Sequence, residues 1–415
     1  VNDVLLIVGA SLAGLRTAES ARRYGYTGPI TILGDEPHLP YNRPPLSKSA
    51  LASEILIEEL TLPRRAAVAD VRWLLGTRAM RADVSASVVV DDRDRVHPYR
   101  WLVAATGLRP RRLPRRVPGC LALKTYEDAV AMRTVLRARP SIVIAGSGFI
   151  ACEAAATART MGCDVLVVTS LDYPLQNTLG PAPARALRQL HERHGVRFLA
   201  GRKVIDALGD ARVTGVLLDN GAEIPCDLII ECMGSHPNAE WLTGNDLNLE
   251  HGVLTDSNLR AVKRDGTPHL SFYVVGDLGR FPCPAATGAA NLIGHWNIAI
   301  ESGKHVGRQI AAADQDLDAQ HQPFVPLPSF WSDQYDSHLL SYGMPQRANR
   351  IELLHGTPNS EFVFGYYRDD DLIGVCGLGM RSTVMRYRDQ IHPWHSESKE
   401  LDPRQNSGRS VRLDP

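Results

Sequence analysis

Val4-Leu5-Leu6-Ile7-Val8-Gly9-Ala10-Ser11-Leu12-Ala13-Gly14 joins a five-residue apolar run to a glycine turn and the start of a helical pattern. A continuous apolar run of that length reads as a parallel strand buried on both faces. Residues 12–24 carry apolar positions at helical spacing, and residues 30–33 form a second short apolar run. Strand, glycine turn, helix and strand make a βαβ unit, whose turn N–H groups and helix N-terminus suit a pyrophosphate. Gly9, Ser11, Ala13 and Gly14 form the turn, with Ser11 at the usual middle glycine. Asp35, with Glu36 beside it, stands just past the second strand, where a carboxylate accepts the hydroxyls of an adenosine ribose.

The same grammar returns further along. Residues 141–145 are a strand, Gly146-Ser147-Gly148-Phe149-Ile150-Ala151 is a glycine turn, residues 149–161 are helical in pattern, and residues 165–168 are a strand. The two glycines that shape the turn and admit a phosphate are both present, and a nicotinamide dinucleotide is the natural ligand. One chain therefore holds two Rossmann-like units, and the predicted class is α/β. Residues 85–91 with 101–105, and 213–218 with 227–231, read as strands that close the two sheets. Beyond residue 311 a Gln- and Asp-rich linker, 312–322, leads to runs at 330–335, 351–354 and 361–367, which predict a small α+β domain. From about residue 394 the chain is polar, and a mobile tail is expected.

Composition agrees with this frame. A chain of 415 residues exceeds what one core usually serves. With 44% apolar and 22% charged residues it is expected to fold as a soluble protein. Lys plus Arg and Asp plus Glu are equal at 46 each, so there is no general attraction to nucleic acid or to an anionic membrane. No apolar stretch reaches the length of a bilayer span, and a cytoplasmic location is expected. The seven cysteines form no CxxC pair, so neither a zinc site nor a vicinal redox disulfide is signalled. No metal site is expected.

Three further stretches extend the first nucleotide site. Tyr41-Asn42-Arg43-Pro44-Pro45-Leu46-Ser47-Lys48 is a proline-stiffened loop presenting a guanidinium and an ammonium, whose bland reading is a solvated basic loop. Ala105, Thr106 and Gly107 end one strand-like run, and Gly276 and Asp277 end another. A carboxylate placed as Asp277 is suits a ribityl hydroxyl.

GxSxxG at 9–14, RPPLSK at 43–48, ATG at 105–107, GxGxxA at 146–151, GD at 276–277 and HW at 295–296 occur in the order seen in FAD-dependent NAD(P)H:ferredoxin reductases. The chain resembles that family, which includes putidaredoxin reductase and the reductase components of aromatic-ring dioxygenases and, more distantly, apoptosis-inducing factor. The likeness covers residues 4 to 385, including Phe330-Trp331-Ser332-Asp333-Gln334-Tyr335-Asp336. It implies a glutathione reductase-like fold: an FAD domain over 1–114 and 236–316, an NAD(P) domain over 115–235, a C-terminal α+β domain over 317–396 and a tail over 397–415. It also implies that Lys48 sits near flavin N5 and pairs with Glu153, and that Trp296, next to His295, lies against the isoalloxazine. Lys124 stands where relatives often have an arginine near the FAD pyrophosphate.

The resemblance loosens at the second site. Relatives that use NADH end the strand after the turn with glutamate, where this chain has Thr169, and a commonly basic position is Asn177. Asp172 could reach a ribose hydroxyl, so NADH is the expected donor and NADPH the alternative; Gly146, Gly148, Phe149, Ile150 and Gly234 complete the expected NAD(P) contacts. Gly294 replaces a family carboxylate before Trp296, and Cys283, Pro284 and residues 377–380 differ from the usual lining. The expected partner is a [2Fe-2S] ferredoxin, docking on the loop of Arg109, Arg111, Arg112, Arg115 and Arg116, whose bland reading is a solvated hinge between domains. The expected activity is hydride transfer from NAD(P)H to FAD and single-electron transfer to the ferredoxin, from a monomer or homodimer. Two other readings share this frame: an FAD-dependent oxidase or dehydrogenase of a small organic substrate, and a redox-switched binding protein.

Overall fold

The computed structural model describes residues 3–283, 290–316 and 323–391. Leu5–Val8 lies in the middle of a six-stranded sheet, between Trp101–Ala104 and Ile30–Gly34, with Arg72–Leu75 beyond the latter. On the other side Pro268–Val274 pairs in parallel with Trp101–Ala104, and Arg260–Val262 adds an antiparallel edge. Leu5, Leu6, Ile7 and Val8 are all buried because helices and loops cover both faces. Each such side chain contributes about 1.5–3 kcal/mol of transfer free energy, an upper bound set against an extended unfolded chain.

The helix Leu12–Arg23 returns the chain across this sheet and packs along the helix Trp296–Asp314. The contact is close because the second helix places glycines where the first approaches. A Cβ on Gly303 would lie 2.6 Å from the Ala13 carbonyl oxygen, and one on Gly307 would lie 2.4 Å from that of Thr17. Ser20 Oγ donates to the Lys304 carbonyl at 2.6 Å across the same seam. Gly307→Val is therefore expected to overpack the interface and destabilise the protein by about 1–3 kcal/mol, read as a lowered thermal midpoint. An unchanged midpoint would mean that the helices separate without cost.

The second parallel sheet runs Arg197–Ala200, Asp164–Thr169, Ser141–Ala145, Leu228–Glu231 and Cys120–Leu121. The two sheets are joined by one pair of short antiparallel strands, Leu108–Pro110 against Ser235–Pro237. Two of the expected sheet-closing strands go elsewhere. Val88–Asp91 and Gly215–Leu218 each form the middle of a separate three-stranded antiparallel sheet, while Trp101–Ala104 and Leu228–Glu231 do join the parallel sheets. Short turns explain this, since a hairpin needs no crossover helix whereas a parallel neighbour does.

The last helix before the C-terminal region continues to Asp314, past the expected break at residue 311. The C-terminal sheet is antiparallel, ordered Ser329–Gln334, Ser337–Gly343, Asp371–Leu378, Phe362–Arg368 and Arg350–Gly356. With the helix Arg381–Arg388 it forms the expected α+β layer. Pro284 and the tail over 397–415 lie outside the described residues. No helix among the described residues is long and apolar enough to cross a membrane.

Candidate functional site

The C-terminal ends of the central strands converge on the first glycine turn. Gly9 has φ +128°, and a Cβ there would lie 2.2 Å from the Ala105 carbonyl oxygen. A Cβ on Gly14 would lie 2.2 Å from the Gly9 carbonyl oxygen. Glycine is thus required at both positions, which lets the strand ends meet and seats the helix N-terminus on the turn. Gly276, at φ +66°, is fixed on the other side by its N–H to Ser302 Oγ, 2.9 Å.

These ends open into a cavity of about 350 Å³. Ser11, Ala13, Arg43, Lys48, Ala105, Thr106, Gly107, Lys124, Gly276, Asp277, His295 and Trp296 line it, as do Phe149, Ile150 and Glu153 from the second helix. Gly9 and Gly14 shape it from behind. Burial on the wall pushes the Lys124 ammonium pKa down and the Asp277 carboxyl pKa up, the latter against the pull of Lys124 and Arg43. Neither side-chain terminus has a hydrogen-bond partner among the described residues, so both are free to meet a ligand. Two cations, a carboxylate and an open helix N-terminus fit the diphosphate and the hydroxyls of FAD.

The two ribose candidates separate. Asp35 is exposed and forks with Arg78, at 3.1 and 2.9 Å. Glu36 accepts from Tyr41 and Arg43, both cavity residues, while Arg43 also donates to the Lys124 carbonyl at 2.7 Å.

Lys48 and Glu153 meet as expected, Nζ to Oε2 at 2.7 Å, and Lys48 also donates to the Pro44 carbonyl at 3.0 Å. Glu153 is 6% exposed, deep enough that an unpaired charge there would be costly. Its other donors were not anticipated: Ser47 Oγ reaches Oε2 and Ser332 Oγ reaches Oε1, the latter at 2.7 Å. Trp296 is 38% exposed at the mouth of the cavity, edge-on to Trp331 with ring centroids 5.5 Å apart. His295 packs edge-on to Phe330. Burial lowers its pKa to about 4, so the imidazole is neutral near pH 7, and its Nδ1 is buried without a partner among the described residues. Phe330, Trp331 and Ser332 belong to the quoted 330–336 motif, which carried no residue-level role because sequence spacing says nothing about which helix a strand will face.

At the second turn, Gly146 has φ +107° and a Cβ there would lie 2.2 Å from the Cys232 carbonyl oxygen. Gly148 is different: its φ is −78° and a Cβ would meet nothing within 4 Å. The chain does not need glycine at 148, whereas a phosphate approaching the helix N-terminus would. Gly234, at φ +87°, lies near the Arg111 side chain. Thr169 stands at the end of the strand that follows the turn. It is buried, its Oγ1 shares a hydrogen bond of 2.7 Å with Ser147 Oγ, and it accepts the Leu171 N–H at 3.2 Å. Asp172 is exposed on the loop beyond, and Asn177 is exposed on the short helix Gln176–Leu179 that follows.

The arginine loop is largely engaged. Arg109 pairs with Glu240, Arg115 with Asp210 at 2.7 Å, and Arg112 with buried Glu231 at 2.8 Å. Arg111 donates to the Ser235 carbonyl at 3.2 Å, and Arg116 is exposed. The loop leads out of the strand pair Leu108–Pro110 and Ser235–Pro237. A more open positive surface lies elsewhere, in a groove of about 980 Å³ that starts at Asn297 and follows one face of the long helix through Lys304 and Arg308. Arg16, Arg23, Arg65 and Arg388 face it. Arg23 and Arg308 both lie over the Tyr24 ring, at 5.8 and 5.5 Å. Among the described residues no carboxylate pairs with Arg23, Arg65, Arg308 or Arg388.

Comparison with known proteins matches this geometry. The family model for pyridine nucleotide-disulphide oxidoreductase matches residues 3–303, and that for the reductase C-terminal region matches residues 329–411. Rhodocoxin reductase from Rhodococcus erythropolis is 32% identical over 378 residues, covering 89% of this chain and 85% of that protein. The ferredoxin–NAD(+) reductase component of the p-cumate 2,3-dioxygenase system of Pseudomonas putida is 29% identical, covering 99% and 97%. The crystal structure of the covalent putidaredoxin reductase–putidaredoxin complex superposes with a TM-score of 0.84 at 27% identity, covering 94% of this chain and 93% of that one.

Proposed function

The chain belongs to the pyridine nucleotide-disulphide oxidoreductase family, and on that premise we propose that it is a reductase taking electrons from NADH through FAD to a [2Fe-2S] ferredoxin. One observation supports this above others: residues of both nucleotide units, Ser11 and Ala13 from the first and Phe149, Ile150 and Glu153 from the second, line a single cavity. A nicotinamide held by the second turn and a flavin held by the first would meet there. We assign residues 1–114 and 236–316 to FAD, 115–235 to NAD(P) and 317–396 to the C-terminal domain.

FAD, when bound, accepts two electrons with a hydrogen from the nicotinamide and releases the electrons singly. The chain's residues orient and bias that exchange. Arg43 and Lys124 hold the diphosphate, Asp277 a ribityl hydroxyl and Glu36 the adenosine ribose, while Asp35 keeps its pair with Arg78. Lys48, anchored by Glu153 and the Pro44 carbonyl, keeps a fixed positive charge on the cavity wall. Neutral His295 adds no competing charge. Trp296, with Trp331 against it, extends an aromatic surface from the cavity to solvent.

Ferredoxins are acidic as a class, so the unpaired arginines of the large groove, which begins one residue past Trp296, suit the partner better than the engaged loop at 109–116. Reversing charge with Arg23→Glu and Arg308→Glu together is expected to lower kcat/KM for ferredoxin by about 10-fold or more at low salt, with the gap closing as salt rises. Flavin reduction by NADH should be untouched. Arg109→Glu with Arg111→Glu is the comparison; a larger loss there would return the docking site to the loop.

Anaerobic stopped-flow of the flavin-loaded protein tests the whole reading. Rapid bleaching by NADH, slower bleaching by NADPH, and cytochrome c reduction only with ferredoxin present are expected. Failure of both nucleotides to bleach the flavin would refute it.

A further inference from the structure

The inward residues of the 330–336 motif have a second task. Along Ser329–Gln334 every other side chain is buried, and Ser332 and Gln334 are 0% and 1% exposed. Buried hydroxyls and amides need partners, and here the partners form one line. Ser332 Oγ reaches Glu153 Oε1 at 2.7 Å, Gln334 Nε2 reaches Ser332 Oγ at 3.1 Å, and Gln334 Oε1 meets His191 Nε2 at 2.8 Å. Tyr335 Oη closes the line at His191 Nδ1, 3.2 Å away. The line thus ties the helix Phe149–Thr160, the C-terminal sheet and the helix Pro181–Arg193 to one carboxylate.

An ionised carboxylate only accepts hydrogen bonds. Ser332 must therefore donate to Glu153, so it accepts from the Gln334 amide. The Gln334 oxygen then faces His191, which carries its proton on Nε2, and Nδ1 is left to accept from Tyr335. Burial lowers the His191 pKa to about 4, consistent with a single ring proton near pH 7. From the geometry we propose that Ser332, Gln334 and His191 are positioning residues that hold the Glu153 carboxylate toward Lys48, in a chain whose proton order is set by the charge on Glu153. Its consequence for flavin reduction rests on the role proposed above for the Lys48–Glu153 pair; the proton order does not.

Selective 15N-histidine NMR of the full chain tests the order directly, with His191→Gln used to assign the signal. The wild type at pH 7 should show His191 neutral with the proton on Nε2. Glu153→Gln, whose amide can face Ser332 either way, should shift that signal or mix the two tautomers. A proton on Nδ1, a charged ring, or no response to Glu153→Gln would overturn the proposal. In stopped-flow, His191→Leu should slow bleaching by about 10-fold, below the 100-fold that a misplaced group can cost. His191→Gln, which restores a donor at the Nε2 position, should recover most of the rate. Equal slowing in both would overturn the positioning role, whereas normal bleaching in Lys48→Ala would instead remove the pair from the mechanism and leave the NMR result to stand alone.

Discussion

Glu153→Gln and Lys48→Ala should each slow flavin reduction by NADH by about 100-fold or more while the flavin spectrum of the bound cofactor stays intact. The two changes act on one charge arrangement. In the wild type Lys48 and Glu153 are 2.7 Å apart and only slightly exposed, so their interaction is little weakened by water. Glu153→Gln keeps the side-chain shape but removes the charge that opposes the ammonium. Lys48→Ala leaves the carboxylate with its two serine donors, Ser47 and Ser332, and no cation. Breaking a buried pair costs about 3–5 kcal/mol where both partners are fully buried; the loss here should be smaller, since Lys48 is 19% exposed. FAD binding should persist because the Gly9 turn, Gly276 and Asp277 are on other elements. Anaerobic stopped-flow at saturating NADH is the measurement, and wild-type rates in both variants would remove the pair from the reaction.

Gly148→Val should leave the fold intact and weaken NADH binding by about 10- to 100-fold. The backbone there, φ −78° and ψ −173°, is one that valine adopts readily, and a Cβ meets no atom within 4 Å. The penalty falls on the ligand alone. A branched side chain over the helix N-terminus would hold a diphosphate away from the N–H groups. Each lost hydrogen bond to a charged group costs about 1.5–3 kcal/mol, and about 1.4 kcal/mol is tenfold in affinity. Gly146→Val should behave in the opposite way, unfolding the turn, because φ is +107° and the Cβ would strike the Cys232 carbonyl. Titration with NADH and a thermal melt of each variant separate the cases. Unchanged NADH affinity in Gly148→Val would show that the diphosphate binds elsewhere.

Much of this was legible in the chain because local rules suffice for it. A glycine turn between a buried run and a helix announces itself within a dozen residues, so both turns and both parallel sheets were readable. Fifteen anticipated residues share the cavity, some read from the turns themselves and others, Lys48, Lys124, Glu153 and Trp296 among them, from the resemblance to the reductase family. The Ser332 and Gln334 contacts were not readable, since strand alternation predicts which side chains are buried but not which distant helix they meet. Nor was the Thr169 contact readable: its place at the strand end does not reveal that its hydroxyl meets Ser147. The pairing of the arginine loop was not readable either, because five guanidiniums in sequence do not reveal that Glu231, Glu240 and Asp210 arrive from elsewhere to pair with three of them.

The strand pair Leu108–Pro110 and Ser235–Pro237 has a consequence for how such a chain is assembled over generations. Arg109 stands opposite His236, so the points where the chain leaves the first nucleotide unit and comes back to it are side by side. A segment whose ends already touch adds almost no loop-closure entropy to its host, whatever its length. The second nucleotide unit is therefore an insertion that leaves and re-enters its host at one point, and any exchange of it must keep the seam where Leu46, Ala50 and Leu51 of the host pack into its core.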